Sequence, residues 1–185
     1  MRHMNKRGHT MNVLINPSWE QIVERDPTIA FSFYLSGRKN VLLAIADEIT
    51  ENLDQAFSGT ITEGGRLERA DSLMWLWTLG AYEVVRTMCQ AKSCFSPRVL
   101  DGLTQLKKTL STVRMPAAKM EKPGRKAPVS SNRSPSGVDV PNKDLLVNDP
   151  SAPEVSARFV LKEFGRVFSS IKKNDVLGRH EESYT

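Results

Sequence analysis

The segment Leu73-Met74-Trp75-Leu76-Trp77-Thr78-Leu79-Gly80-Ala81-Tyr82-Glu83-Val84-Val85-Arg86 is the most apolar in the chain and constrains the fold more than any other. Leu67, Ala70, Met74, Trp77, Ala81, Val84 and Met88 recur at steps of three and four, the spacing that stacks side chains on one face of a helix. Leu73, Leu76 and Leu79 form a second stripe beside the first, so the middle of this helix is apolar nearly all round. Such a helix needs neighbours on several sides. The reading therefore predicts a central helix from Gly64-Gly65 to about Lys92 inside an all-α domain.

The neighbours are readable by the same periodicity. From Arg38, Val41, Leu42, Ile45, Ile49, Leu53 and Phe57 mark an amphipathic helix, with Asp47, Glu48, Glu51 and Asp54 on its other face and Ser58-Gly59 at its end. Ser96-Pro97 has the form of an N-cap followed by proline at the first helical position, and Val99, Leu103, Leu106, Leu110 and Val113 give the inner face of the helix that follows. The connection from the central helix is short, which predicts an antiparallel hairpin. Ser156 caps a last helix with Phe159, Val160, Phe164, Val167, Phe168 and Ile171 inward, and Val176-Leu177 either continue it or pack after a break. Near the start, Asn16-Pro17-Ser18 opens a short helix bearing Trp19, Ile22 and Val23, ended by Asp26-Pro27. Thr28 to Leu35 alternates like a strand, while its length and surroundings favour a turn of helix, and Ser36-Gly37 is expected to close it in either case.

Two stretches carry too little apolar surface to offset their ordering entropy. Residues 1–11 form a basic tail, and residues 122–155, rich in proline and serine, read as a disordered insertion with one short extended piece at Leu145 to Val147. The expected organisation is a tail (1–11), a helical domain (12–121), the insertion (122–155), a C-terminal helix of the same domain (156–178) and a polar tail (179–185). The fold class is thus a four-helix bundle-like domain with a short N-terminal helix and a long insertion before the last helix.

Charge narrows the partners. From Arg114 to Arg133 six basic residues face one acid, Glu121, a local excess equal to the net +5 of the whole chain. That suits an acidic partner such as RNA or an acidic protein contacted through Arg114, Lys119, Lys122, Arg125 and Lys126. The chain holds no apolar run long enough to span a bilayer, and its N-terminus lacks a signal-peptide core, so a cytoplasmic location with no membrane contact is expected. Cys89 and Cys94, with His3, His9 and His180, supply neither a disulfide framework nor the paired clusters of a zinc site, so the cysteines read as packing thiols and no metal is expected. There is no glycine-rich phosphate loop, no nucleophile elbow, and hence no cofactor to expect. The carboxylates Asp47, Glu48, Glu51 and Asp54 read as a solvated helix face. Trp75 and Trp77 read as core or interface residues rather than base-stacking platforms.

One arrangement carries a hint of chemistry. Arg114-Met115-Pro116-Ala117-Ala118-Lys119 follows a long two-helix hairpin, with Pro116 placed to open another helix. Together with Tyr82-Glu83-Val84-Val85-Arg86 on the preceding helix, it resembles the region of HEPN-like helical domains that carries an R-x(4–6)-H motif. The resemblance spans about residues 38 to 121. It implies that Arg114 occupies the motif arginine, with Lys119 where the histidine would be. In active members the two act on the scissile phosphate and 2′-hydroxyl of RNA, usually across a dimer. A lysine is protonated at neutral pH and shuttles protons poorly, so an inactive or altered member that binds rather than cuts is the implied outcome. Without that resemblance, Arg114 and Lys119 cap carbonyls, face water, or pair with Glu83 or Glu121.

The expected function is a non-enzymatic helical interaction module. It self-associates through the exposed part of the tryptophan helix (Trp75, Trp77) and meets RNA or an acidic protein through the basic region. A HEPN-like ribonuclease or its inactive relative is one alternative, and a subunit of a larger cytoplasmic assembly is another.

Overall fold

A computed structural model describes residues 16–122, 127–128, 136–147 and 153–181. Six α-helices appear in it: α1 (Trp19–Arg25), α2 (Thr28–Phe31), α3 (Phe33–Ala56), α4 (Gly64–Gln90), α5 (Pro97–Lys119) and α6 (Ala157–Ser169). Before α6, β1 (Gly137–Asp139) pairs antiparallel with β2 (Asp144–Leu146). The all-α class is as expected. Helix α4 packs chiefly against α3 and α5, and α6 closes the bundle by packing on α5, α3 and β2.

The inner stripe of α4 is buried as its spacing predicts. Ala70, Met74, Trp77, Ala81, Val84 and Met88 lie in one core with Leu42, Ile49 and Leu53 of α3, Leu103, Leu106 and Leu110 of α5, and Phe164 and Phe168 of α6. Trp77 is 0% exposed, its Nε1 donates to the Leu42 carbonyl at 2.9 Å, and its ring meets Phe164 edge-on at 5.2 Å. A buried indole that keeps a hydrogen-bond partner adds apolar area without an unsatisfied donor. Gly80 sits where α3 crosses. A Cβ there would meet Leu42 Cδ2 at 3.1 Å, so the absent side chain lets the two helices approach.

Several sequence expectations change. Ser36-Gly37 does not end an element, because α3 begins earlier, at Phe33, with the Ser32 side chain accepting from the Leu35 amide. The reason is Asp26, the residue that also ends α1. Its carboxylate accepts from the Thr28 amide, the Thr28 and Ser36 hydroxyls, Lys39 Nζ at 2.6 Å and Asn40 Nδ2. Ser36, Lys39 and Asn40 share one face only if that segment is helical. Burial would push the Asp26 carboxyl up, but the hydrogen bonds from Lys39, Ser36 and Thr28 outweigh it and hold the group below the ordinary aspartate range.

The C-terminal segment is stapled in the same manner. After α6 the chain breaks helix, as one of the two expected alternatives had it, and Val176 pairs with Phe95 while the Leu177 amide donates to the Cys94 carbonyl. Asp175 accepts from the Ser96 hydroxyl, from Arg98 and from the Lys172 amide. The hydrogen bond from Ser96, opposed by burial and helped by Lys172 and Arg98, holds its carboxyl below the ordinary range. Ser96 therefore spends its hydroxyl on Asp175 and caps α5 without a side-chain bond to that helix. Cys89 and Cys94 are both buried and unbridged, as packing thiols should be. Burial pushes the Cys89 thiol up.

Within 122–155, residues 136–147 are a hairpin. The extended piece expected at Leu145 to Val147 is its second strand and the residue after it, with Leu145 and Val147 in the core. Buried Asp144 ties the hairpin to α6 by accepting from the Ser156 hydroxyl and the Arg158 amide. Phe159, expected inward, is exposed, and Leu161 takes the inner position. The buried set Ala157, Val160, Leu161, Phe164, Val167 and Phe168 keeps helical spacing, and Phe159 falls outside it. Residues 1–11 lie outside the described residues.

Candidate functional site

Pro116 does not open a new helix. It is buried in the last turn of α5, which runs unbroken to Lys119 and closes on Met120 in the left-handed region at φ 54. Proline has no N–H to donate to the carbonyl four residues back, yet the helix continues through it to Lys119. Arg114 and Lys119 consequently share one helix, and five residues turn about 140° around its axis. Arg114 leans toward α4, where its guanidinium lies over the Tyr82 ring at 4.6 Å and 3.6 Å from Glu83 Oε1. Glu83 also accepts from Arg86 Nε at 2.7 Å. Lys119 is exposed. Within one chain the two side chains do not come together, and the pairing with Glu83 is the one the residues allowed without any resemblance.

Of the rest of the expected basic site, Lys122 alone is among the described residues. Lys122 is partly buried and its amide donates to the Ala127 carbonyl at 2.8 Å. Arg125 and Lys126 lie outside the described residues. The two tryptophans also separate, because residues two apart on a helix point about 200° from one another. Trp77 is a core residue and is not available as an interface. Trp75 is 49% exposed, yet its Nε1 donates to the Ala117 carbonyl at 3.0 Å, satisfying one of the last carbonyls of α5. A cavity of about 140 Å³ lies beneath it, reaching Thr78, Val113 and Val147.

A second region was not singled out by sequence. Tyr34, Arg38, Val41 and Ile45 on α3, and Gly80, Glu83, Val84 and Thr87 on α4, line an open groove of about 500 Å³. Tyr34 is 69% exposed, Val41 56% and, one turn before Gly80, Leu76 53%. Val41 and Leu76 both belong to stripes expected to be covered. Both stay exposed on the side of the α3–α4 pair turned away from α5 and α6. The signal was present in the sequence: Val41-Leu42 and Leu76-Trp77 are adjacent apolar pairs about 100° apart, too wide for both members to face one neighbour. At one end of the groove Arg38 lies over the Tyr34 ring at 4.8 Å and donates to its hydroxyl. Beyond the other end, Arg69 Nη2 and Glu48 Oε1 join α4 to α3 at 2.8 Å.

Among the described residues, no three His, Cys, Asp or Glu side chains gather as a metal site would, and no helix is long and apolar enough to cross a membrane. Comparison of the chain with protein families, curated proteins and solved structures finds no match.

Proposed function

We propose that this protein is a non-enzymatic interaction module of the cytoplasm that receives a partner protein along the α3–α4 face. The observation carrying this reading is the groove itself: the large side chains of Tyr34 and Val41 stand exposed along its lining, and Leu76, one turn before Gly80, extends the exposed apolar surface beyond it. Exposed apolar surface gathered in one place marks a binding site more often than an accident of the surface. Such a face suits a subunit of a larger assembly. The test is the fluorescence of 1-anilinonaphthalene-8-sulfonate with the native protein, which should rise on binding and fall to background in Val41→Asp. A wild type that leaves the dye dark sinks the reading.

A second reading, contact with RNA or an acidic protein through Arg114, Lys119 and Lys122 with Arg125 and Lys126, draws on the exposure of Lys119 in the last turn of α5, the turn whose Ala117 carbonyl accepts from the half-exposed Trp75. An RNA titration at two salt concentrations decides it, since phosphate contacts weaken steeply with salt. The ribonuclease reading needs a free Arg114, and its engagement with Tyr82 and Glu83 weighs against that. Equal RNA cleavage by wild type and Arg114→Ala would remove it.

A further inference from the structure

We infer that the occupant of the α3–α4 groove is an amphipathic helix of a partner protein, with an apolar stripe along its length and acidic residues at the end that meets Arg38. This rests on the binding-face reading above and names the partner's chemistry. The first argument is periodicity. Tyr34, Arg38, Val41 and Ile45 on α3 follow steps of four, three and four, and Leu76, Gly80, Glu83 and Thr87 on α4 follow the same steps. Two stripes of that spacing, on adjacent helices, form the seam into which a third helix sets its side chains. Gly80 keeps the middle of the seam low, and the Trp77 Nε1 bond to the Leu42 carbonyl fixes the two helices in register there.

The second argument is charge. At one end Arg38 lines the groove with Glu83, and Glu83 is already held by the guanidinium groups of Arg86 and Arg114, so three arginines gather near one glutamate. At the far end Arg69 and Glu48 neutralise each other. Val41, Ile45, Leu76 and Gly80 separate the two ends and carry no charge. The seam is therefore basic at one end, apolar in the middle and neutral at the other, which is the complement of a helix with acidic residues in its first or last turn and leucine-like residues after them. Charge speaks against a second copy of this chain, because a two-fold pair would set the basic end against a like end or against the neutral one and never against acid.

The probe is a synthetic amphipathic peptide of about 16 residues, roughly 24 Å as a helix, with leucines at heptad spacing and three glutamates in its first turn. Its control carries lysines in place of the glutamates. Fluorescence anisotropy with the full chain should show the glutamate peptide binding about tenfold or more tightly than the control, which is the span expected of complementary charge at a partly buried site. Arg38→Glu should erase that preference, and Val41→Asp should weaken both peptides with thermal melting unchanged. Equal binding of the two peptides to the wild type would overturn the acidic partner while leaving the face intact. Binding unaffected by Val41→Asp, or no binding of either peptide, would overturn both. A concentration-dependent dimer in sedimentation, lost in Val41→Asp, would give the groove to a second copy and also overturn the inference.

Discussion

Trp75 and Trp77 stand two residues apart on α4, and the contrast between them is the contrast between the two faces of the helix. Trp77 is enclosed by α3 and α6, and its one polar atom is satisfied by the Leu42 carbonyl. Trp75 and Leu76 belong to the same apolar run, yet each is about half exposed where the core ends, with Leu79 partly buried beside them. Apolar composition put both faces in the sequence, but only the geometry of α3, α5 and α6 decides which is core and which is surface. The inner face holds the fold together. The outer one, with the groove beside it, contributes far less: Trp75 satisfies one carbonyl of α5, and Leu76 is left exposed.

That contrast can be broken most forcefully at its inner side. Trp77→Ala should cost about 3 to 5 kcal/mol, the range for emptying a large aromatic site in a core, read as a denaturant midpoint shift without a change in slope. A loss under about 1 kcal/mol would mean that the two faces are not distinct. Next comes the polar staple of α3: Asp26→Ala leaves Lys39 buried without its partner, and breaking such a pair costs about 3 kcal/mol. Urea melts of the single and Lys39→Met double variants would check it, the double being the less damaged.

Acid should act on the same staples. Asp26 and Asp175 have carboxyls held below their ordinary range in the folded state. The unfolded chain therefore binds protons first as pH falls, and stability that is complete above about pH 4 is lost below it. Asp26→Asn should flatten part of that slope, and a slope unchanged in the variant would deny the staple its role. Smaller still, Trp75→Ala should cost about 1 kcal/mol, since it removes a half-exposed ring and one hydrogen bond. The smallest effect belongs to the outer face: Val41→Asp and Leu76→Asp should change stability by no more than about 0.5 kcal/mol. If either unfolds the protein, the outer face is core and the groove reading falls.

Much of the architecture was legible because helical periodicity survives without tertiary information. The α5 stripe and the capping of α1 and α6 follow the sequence closely; Val99, Leu103, Leu106, Leu110 and Val113 are all buried. What escaped was decided at a distance. Nothing near Ser36-Gly37 announces that Asp26, ten residues earlier, will hold that pair inside a helix. Nothing near Pro116 announces that α5 continues through it. The candidate site is the less legible part. Whether Arg114 and Lys119 converge depends on the path of the chain at Pro116, which the sequence leaves open and the continuous helix decides against, and the groove can be foreseen only by asking which of two adjacent apolar residues lacks a neighbour.

The claim that the α3–α4 face is the binding surface is tested most directly by methyl-resolved NMR titration with the glutamate-ended peptide. Resonances of Val41, Ile45, Leu76 and Val84 should shift together in a saturable way, while those of Leu103, Leu110 and Val167 in the core between α5 and α6 stay in place. Shifts gathered at Ala117 and Ala118, beside Trp75 and Lys119, would move the site to the basic corner and contradict the account.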